Sequence, residues 1–211
     1  MDNMVSEAFF RVIPALICIT FHELAHGYTA YRLGDNTAKD MGRLTLNPIK
    51  HIDVFGLLMM LIAYFGWAKP VPVNMRNFKR PKWGMAVTAL AGPMSNLLLT
   101  IAVLLVFGLV LTPLSGFAAG EVALIMMHRM AMIGIALAVF NMLPIPPLDG
   151  SKILFSLLPD RYYMILMKYE RYGMLVLFVG LYFFRDALGV LISNISGAFD
   201  VIWHTTFLLV N

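Results

Sequence analysis

Three stretches of this sequence, residues 9–31, 84–112 and 121–143, are apolar enough and long enough to cross a bilayer as helices. The first holds 23 residues, which as an α-helix rise about 34 Å and cover a hydrocarbon core of about 30 Å. Composition agrees: 60% of the residues are hydrophobic and 13% are charged, where a soluble domain carries about 25% charged residues. An ordinary soluble globule and a disordered chain are both excluded. The net charge of +4 comes from scattered lysines and arginines, so no nucleic-acid partner is expected and the basic excess is expected to face anionic lipid. The lone cysteine, Cys18, lies inside an apolar stretch and reads as packing.

Residues 54–66 are also apolar but number only 13, too few to cross, so they read as a re-entrant or interfacial segment. Beyond Pro159 a more polar stretch with Lys168, Glu170 and Arg171 precedes two apolar runs, 173–184 and 187–210, split by Arg185 and Asp186. These read as two further spans. Lysine and arginine number four in residues 32–50, five in 69–82, four in 151–171 and none in 113–120. The first three segments are therefore expected on the cytoplasmic face, which requires that 54–66 not cross. The first ten residues carry no lysine or arginine and are expected outside, without the basic region of a cleavable signal peptide. The expected fold is an all-α polytopic membrane protein of about five to six hydrophobic helices, forming one domain over residues 1–211 with a core at 9–158 and hydrophobic helices within 161–211.

The first span contains Phe21-His22-Glu23-Leu24-Ala25-His26, an H-E-x-x-H. His22 and His26 lie about 40° apart around a helix and can grip one Zn²⁺ together. Glu23 projects about 100° from His22, which suits a general base addressing water from the side. The plainer alternative is three polar residues at a helix interface, but ionisable groups at membrane depth are costly and functional by default.

Catalytic zinc takes three protein ligands, and Asp35, Asp40, His51, Asp53, Glu121, His128 and Asp149 are available. Glu121 and His128 begin a helix from the outside, whereas Asp149 follows the cytoplasmic end of the same helix. Asp149 stands in Asn141-Met142-Leu143-Pro144-Ile145-Pro146-Pro147-Leu148-Asp149-Gly150, where prolines stop the helix and Gly150 permits a sharp turn. Such a break can aim the carboxylate into the bundle. Equally, Asp149 can N-cap the segment 151–158, and Asp53 remains a spare ligand.

The chain resembles the site-2 proteases, the zinc intramembrane metalloproteases of peptidase family M50, in their compact prokaryotic form. The resemblance rests on His22-Glu23-Leu24-Ala25-His26-Gly27, Gly42-Arg43-Leu44-Thr45-Leu46-Asn47-Pro48, Lys69-Pro70-Val71-Pro72-Val73-Asn74, Ala91-Gly92-Pro93-Met94-Ser95-Asn96 and the stretch 141–150. It implies that His22, His26 and Asp149 hold one Zn²⁺ and that Glu23 activates water. It also implies single-span membrane proteins as substrates, such as anti-sigma factors, transcription-factor precursors or leftover signal peptides. Many bacterial relatives carry a PDZ domain between the second and third core helices; residues 113–120 leave room only for a short loop. No cytoplasmic regulatory domain is expected after the last span.

Asn96 lies four residues after Gly92, beside a proline that leaves the Ala89 carbonyl without its helical donor. Either Asn96 and Asn141 are interhelical glue, or, as the resemblance suggests, they help hold the substrate carbonyl or its oxyanion. Residues 42–47 and 69–74 read as extended and as a possible small β-hairpin or sheet near the active site, either an edge for an unwound substrate or a loop over the helix ends. Tyr28, Tyr64, Trp67 and Trp83 read as interface aromatics, and His51, His128 and His204 as surface or packing residues. The expected activity is zinc-dependent hydrolysis of a peptide bond in or near the membrane, in a prokaryotic inner-membrane protein whose site opens to the cytoplasm. The rivals are a non-hydrolytic zinc carrier or sensor, against which the Glu between the histidines argues, and an inactive scaffold. Oligomeric state is open.

Overall fold

The computed structural model describes residues 2–63, 66–114, 118–169 and 172–210. Its helices are α1 (Asp2–Arg32), α2 (Thr37–Asp40), α3 (Val54–Ala63), α4 (Pro81–Leu114), α5 (Ala118–Asn141), α6 (Asp149–Ser156), α7 (Asp160–Tyr169) and α8 (Gly173–Val210), with single 3₁₀ turns at Pro48–His51 and Met75–Asn77. Among the described residues, the stretches Glu7–Arg32, Pro81–Phe107 and Gly120–Asn141 are long and apolar enough to cross a membrane. They match the three runs read from the sequence. Only residues 115–117 separate α4 from α5, so no domain is inserted there. Tyr64 lies outside the described residues.

Helix α4 is central and packs on α1, α5 and α6, with α1 also against α5. Small residues make the approach close. A Cβ on Gly134 of α5 would stand 2.6 Å from Thr100 Oγ1 on α4 and 3.8 Å from Cys18 Sγ on α1. Small residues at such crossings are how helices associate where lipid removes the hydrophobic drive between them. Cys18 is fully buried there, its thiol on the Met130 carbonyl. Farther along, Val103, Phe107, Ala131, Phe199 and Trp203 form the apolar core that seats α8 on α4 and α5.

Helix α8 corrects the expectation of two C-terminal spans. It runs unbroken through Arg185 and Asp186 for 38 residues, about 57 Å at helical rise. An adjacent Arg-Asp pair marks polarity but contains neither a proline nor a glycine to end the helix.

The short apolar segment leaves and returns at one place. Ile52 and Ala68 form an antiparallel bridge, the Lys69 N–H donates to the His51 carbonyl, and between them α3 reaches Arg11, whose Nη2 donates to the Leu61 carbonyl. Asp53 caps α3 by accepting the Gly56 N–H. Val54, Phe55 and Ile62 are exposed. No ladder joins 42–47 to 69–74: among the described residues the Ile52–Ala68 bridge stands alone, and Arg43 Nη2 on the Lys69 carbonyl links the two segments instead. The anticipated hairpin is thus a pair of side-chain-tied loops.

The basic segments gather at one end. Lys82 at the start of α4 donates to the Leu158 carbonyl and pairs with Asp160 of α7. Asp35, just past α1 and fully buried, accepts from the Thr37 N–H and hydroxyl, the Asn74 N–H and the Asn77 amide. Burial opposes its ionisation, but these four donors outweigh it and hold its carboxyl below the usual carboxylate range. Asp35→Ala is expected to lower stability by about 3 kcal/mol at neutral pH, since it strands buried donors. A depressed folded pKa stabilises above the unfolded value of about 3.9 and is lost as pH falls through the folded one. Thermal melts in detergent should therefore show the gap between wild type and Asp35→Ala narrowing below about pH 4.

Candidate metal centre

His22 and His26 project from α1 toward α4 and α6, four residues apart on one face. Their Nε2 atoms are 3.0 Å apart, and each is 3.1 Å from Asp149 Oδ2. All three side chains are buried. Among the described residues this is the one cluster of three whose donor atoms converge as metal ligands.

Each candidate ligand is held from behind. The Thr88 carbonyl of α4 accepts from His26 Nδ1 at 2.7 Å, leaving the Nε2 lone pair free to ligate. Asn96 Nδ2 lies 3.2 Å from His22 Nδ1, and the buried Asn96 Oδ1 has no hydrogen-bond partner. With Nε2 turned to a metal, the His22 proton sits on Nδ1, and turning the amide over, so that Oδ1 accepts that proton, satisfies both atoms. Asn96 does not line the cavity; it stands behind His22.

Asp149 is the first residue of α6, after the proline-rich turn. Leu148 occupies the N-cap without a side-chain cap bond, so the carboxylate is not spent on capping and faces the histidines. Gly150 serves here through close approach: a Cβ would lie 2.2 Å from the Met142 carbonyl oxygen and 2.6 Å from that of Leu143, and its φ is not positive. Its absence lets α6 start against the end of α5. Burial disfavours the charged carboxylate, but the two imidazoles outweigh it and hold Asp149 well below the usual range.

Gly92 on α4 completes the cradle. A Cβ there would stand 2.4 Å from both Cε1 and Nε2 of His26 and 2.7 Å from His22 Cε1. Gly27, after His26, does the same for the loops: its Cβ would meet Leu44 Cδ2 at 2.7 Å and Val71 Cγ1 at 3.0 Å. Residues 44 and 71 thus lie directly over α1.

The cluster opens into a cavity of about 350 Å³ lined also by Glu23, Val71, Asn141, Pro147 and Lys152. Glu23 Oε2 accepts the Val71 N–H at 2.7 Å, and the prolines flanking Val71 keep that segment extended. Asn141 donates to the Leu137 carbonyl and also faces the cavity. Tetrahedral zinc with bonds of about 2.0–2.2 Å sets its ligand atoms about 3.3 Å apart. The observed separations, the His₂Asp donor set and the Asn96 oxygen awaiting a proton on His22 all fit zinc.

The other acidic and imidazole candidates are elsewhere. Asp35 and Asp53 are occupied as described, and His51 is buried with Nε2 donating to the Thr45 carbonyl. His128 packs on Trp203, ring centroids 4.9 Å apart. Sequence spacing had no signal for the Thr88 carbonyl, the Val71 N–H or Lys152. For Gly92 the signal was present, a glycine one helical turn before Asn96, but spacing alone does not show that it faces the histidines.

Comparison with known proteins places these features in context. Residues 116–184 match peptidase family M50, a stretch that holds Asp149 but not the histidines. YwhC of Bacillus subtilis, named for a zinc metalloprotease, is 41% identical over 174 residues, covering 81% of this chain and 78% of YwhC. Rip2 of Mycobacterium tuberculosis, similarly named, is 32% identical over 147 residues, 67% of this chain and 55% of Rip2. The zinc metalloprotease MJ0392 of Methanocaldococcus jannaschii is 22% identical over 162 residues, 77% of this chain and 38% of that protein. No solved structure matches.

Proposed function

The chain belongs to peptidase family M50, and from that premise we propose that it is a zinc metalloendopeptidase cutting membrane proteins in or near their transmembrane segment. The observation that carries the reading is the convergence of His22, His26 and Asp149, three ligand atoms 3.0–3.1 Å apart, beside a carboxylate on the same cavity. Two of these ligands lie within a helix long and apolar enough to cross the bilayer, which supports cleavage at membrane depth.

His22, His26 and Asp149 hold the metal, with Thr88 and Asn96 fixing the two imidazoles. Zinc, when bound, acidifies a water molecule and polarises a carbonyl. Glu23 takes the proton of the attacking water and delivers it to the leaving amine. Its carboxylate is oriented for this by the Val71 N–H. Asn141 on the cavity wall holds the substrate carbonyl, whereas Asn96 acts through His22. The basic segments at the site's end of the helices support a cavity on the cytoplasmic side of a prokaryotic inner membrane. Water then enters from that side, and the extended segment around Val71 borders the path of a substrate chain.

A panel of tagged single-span membrane proteins, offered to the chain in proteoliposomes, tests the reading. Fragment masses should locate the cut within or beside the spanning segment. Cuts confined to soluble regions of the substrates would overturn the intramembrane reading while leaving a peptidase.

A further inference from the structure

Lys152 lines the cavity, and the mechanism above gives it no task. It lies one helical turn from Asp149, with Nζ 3.9 Å from Asp149 Oδ1. The two form an ion pair through Oδ1, while the other oxygen, Oδ2, is the one turned to the histidines. Among the described residues lining the cavity it is the only lysine or arginine. Its backbone is locked: the preceding Ser151 is fully buried with its hydroxyl on the Leu148 carbonyl, and Gly150 seats α6 against the end of α5. The base of this side chain is thus fixed beside the ligand cluster, its ammonium pairs with Asp149 Oδ1 on the cavity wall, and the Glu23 carboxylate lines the same cavity.

Hydrolysis of a peptide bond makes a transient negative charge in that space. Water oxygen adds to the carbonyl carbon, the C=O π pair moves onto the carbonyl oxygen, and the water proton goes to Glu23. The pair then returns as the C–N bond breaks, and the proton goes to the amine. Charge on the carbonyl oxygen exists only between those events, so a cation on the same cavity wall stabilises the transition state more than the substrate. We propose that Lys152 is a catalytic residue whose ammonium donates a hydrogen bond to the scissile carbonyl oxygen as it becomes an oxyanion. This rests on the hydrolytic reading of the same cavity.

Lys152→Gln and Lys152→Arg in the full reconstituted chain test it through kcat and KM, zinc content, and affinity for a phosphinic peptide, a tetrahedral anion that binds without turnover. Lys152→Gln should lower kcat about 10²–10³-fold with KM nearly unchanged and zinc at the wild-type level. It should lose comparable affinity for the phosphinic peptide, and Lys152→Arg should recover much of both. Unchanged kcat and unchanged phosphinic-peptide affinity in Lys152→Gln would overturn the proposal. So would a loss that follows loss of zinc, because Lys152 would then serve only Asp149. If the wild type cleaves nothing, the hydrolytic reading fails by itself, and phosphinic-peptide affinity decides the role of Lys152 separately.

Discussion

Gly92→Ala is expected to strip the protein of zinc and of all turnover, although it adds one methyl group to a helix that contributes no ligand. The new carbon would sit 2.4 Å from His26 Nε2, the ligand atom of the proposed centre, and 2.7 Å from His22 Cε1. Neither ring can yield freely, because His26 is bonded to Thr88 and His22 faces Asn96. Nor can α4 withdraw, packed as it is on α1, α5 and α6. Helix propensity alone predicts the opposite sign, a gain of up to about 1 kcal/mol for alanine over glycine. Metal analysis of the purified variant separates the two: zinc near zero is the expected result, and full occupancy with normal turnover would show that the cradle does not need a bare backbone there.

Glu23→Gln is expected to keep zinc and to lose about 10³-fold or more in kcat, the upper range for removal of a general base. The amide retains the shape of the carboxylate and an oxygen for the Val71 N–H, but it cannot take a proton from water. His22→Ala should differ in kind, losing zinc and turnover together. Kinetics on a cleavable substrate alongside metal content distinguish the pair, and normal turnover by Glu23→Gln would remove Glu23 from the mechanism.

Much of this architecture was legible because it follows from local rules. Membrane-crossing helices need long apolar runs, and His22 and His26 share a face by helical period alone. The run 54–66 reads from its length as too short to cross, and the Ile52–Ala68 bridge brings the residues on either side of it together. Asp149 was different. Spacing left it balanced between capping and ligation, and only the packing of α6 against α4 brings its carboxylate to the histidines. The same limit hid Gly92 and Thr88, whose roles depend on what a neighbouring helix presents. The alternation around Leu44 and Leu46 suggested a strand, yet Asn47 caps a 3₁₀ turn at Pro48 and ends the extended run. At Arg185 and Asp186 a polarity boundary was read as a helix boundary, and the backbone does not require the two to coincide.

The central claim, that a His22–His26–Asp149 centre drives hydrolysis, is tested most directly by stripping the reconstituted protein with a chelator and titrating zinc back against a tagged single-span substrate. Wild type and Asp149→Ala are compared in parallel. Cleavage by the wild type should rise with bound zinc and level off at one ion per chain, while Asp149→Ala stays inactive. Cleavage by the stripped protein, or by Asp149→Ala at any zinc concentration to the wild-type extent, would contradict it.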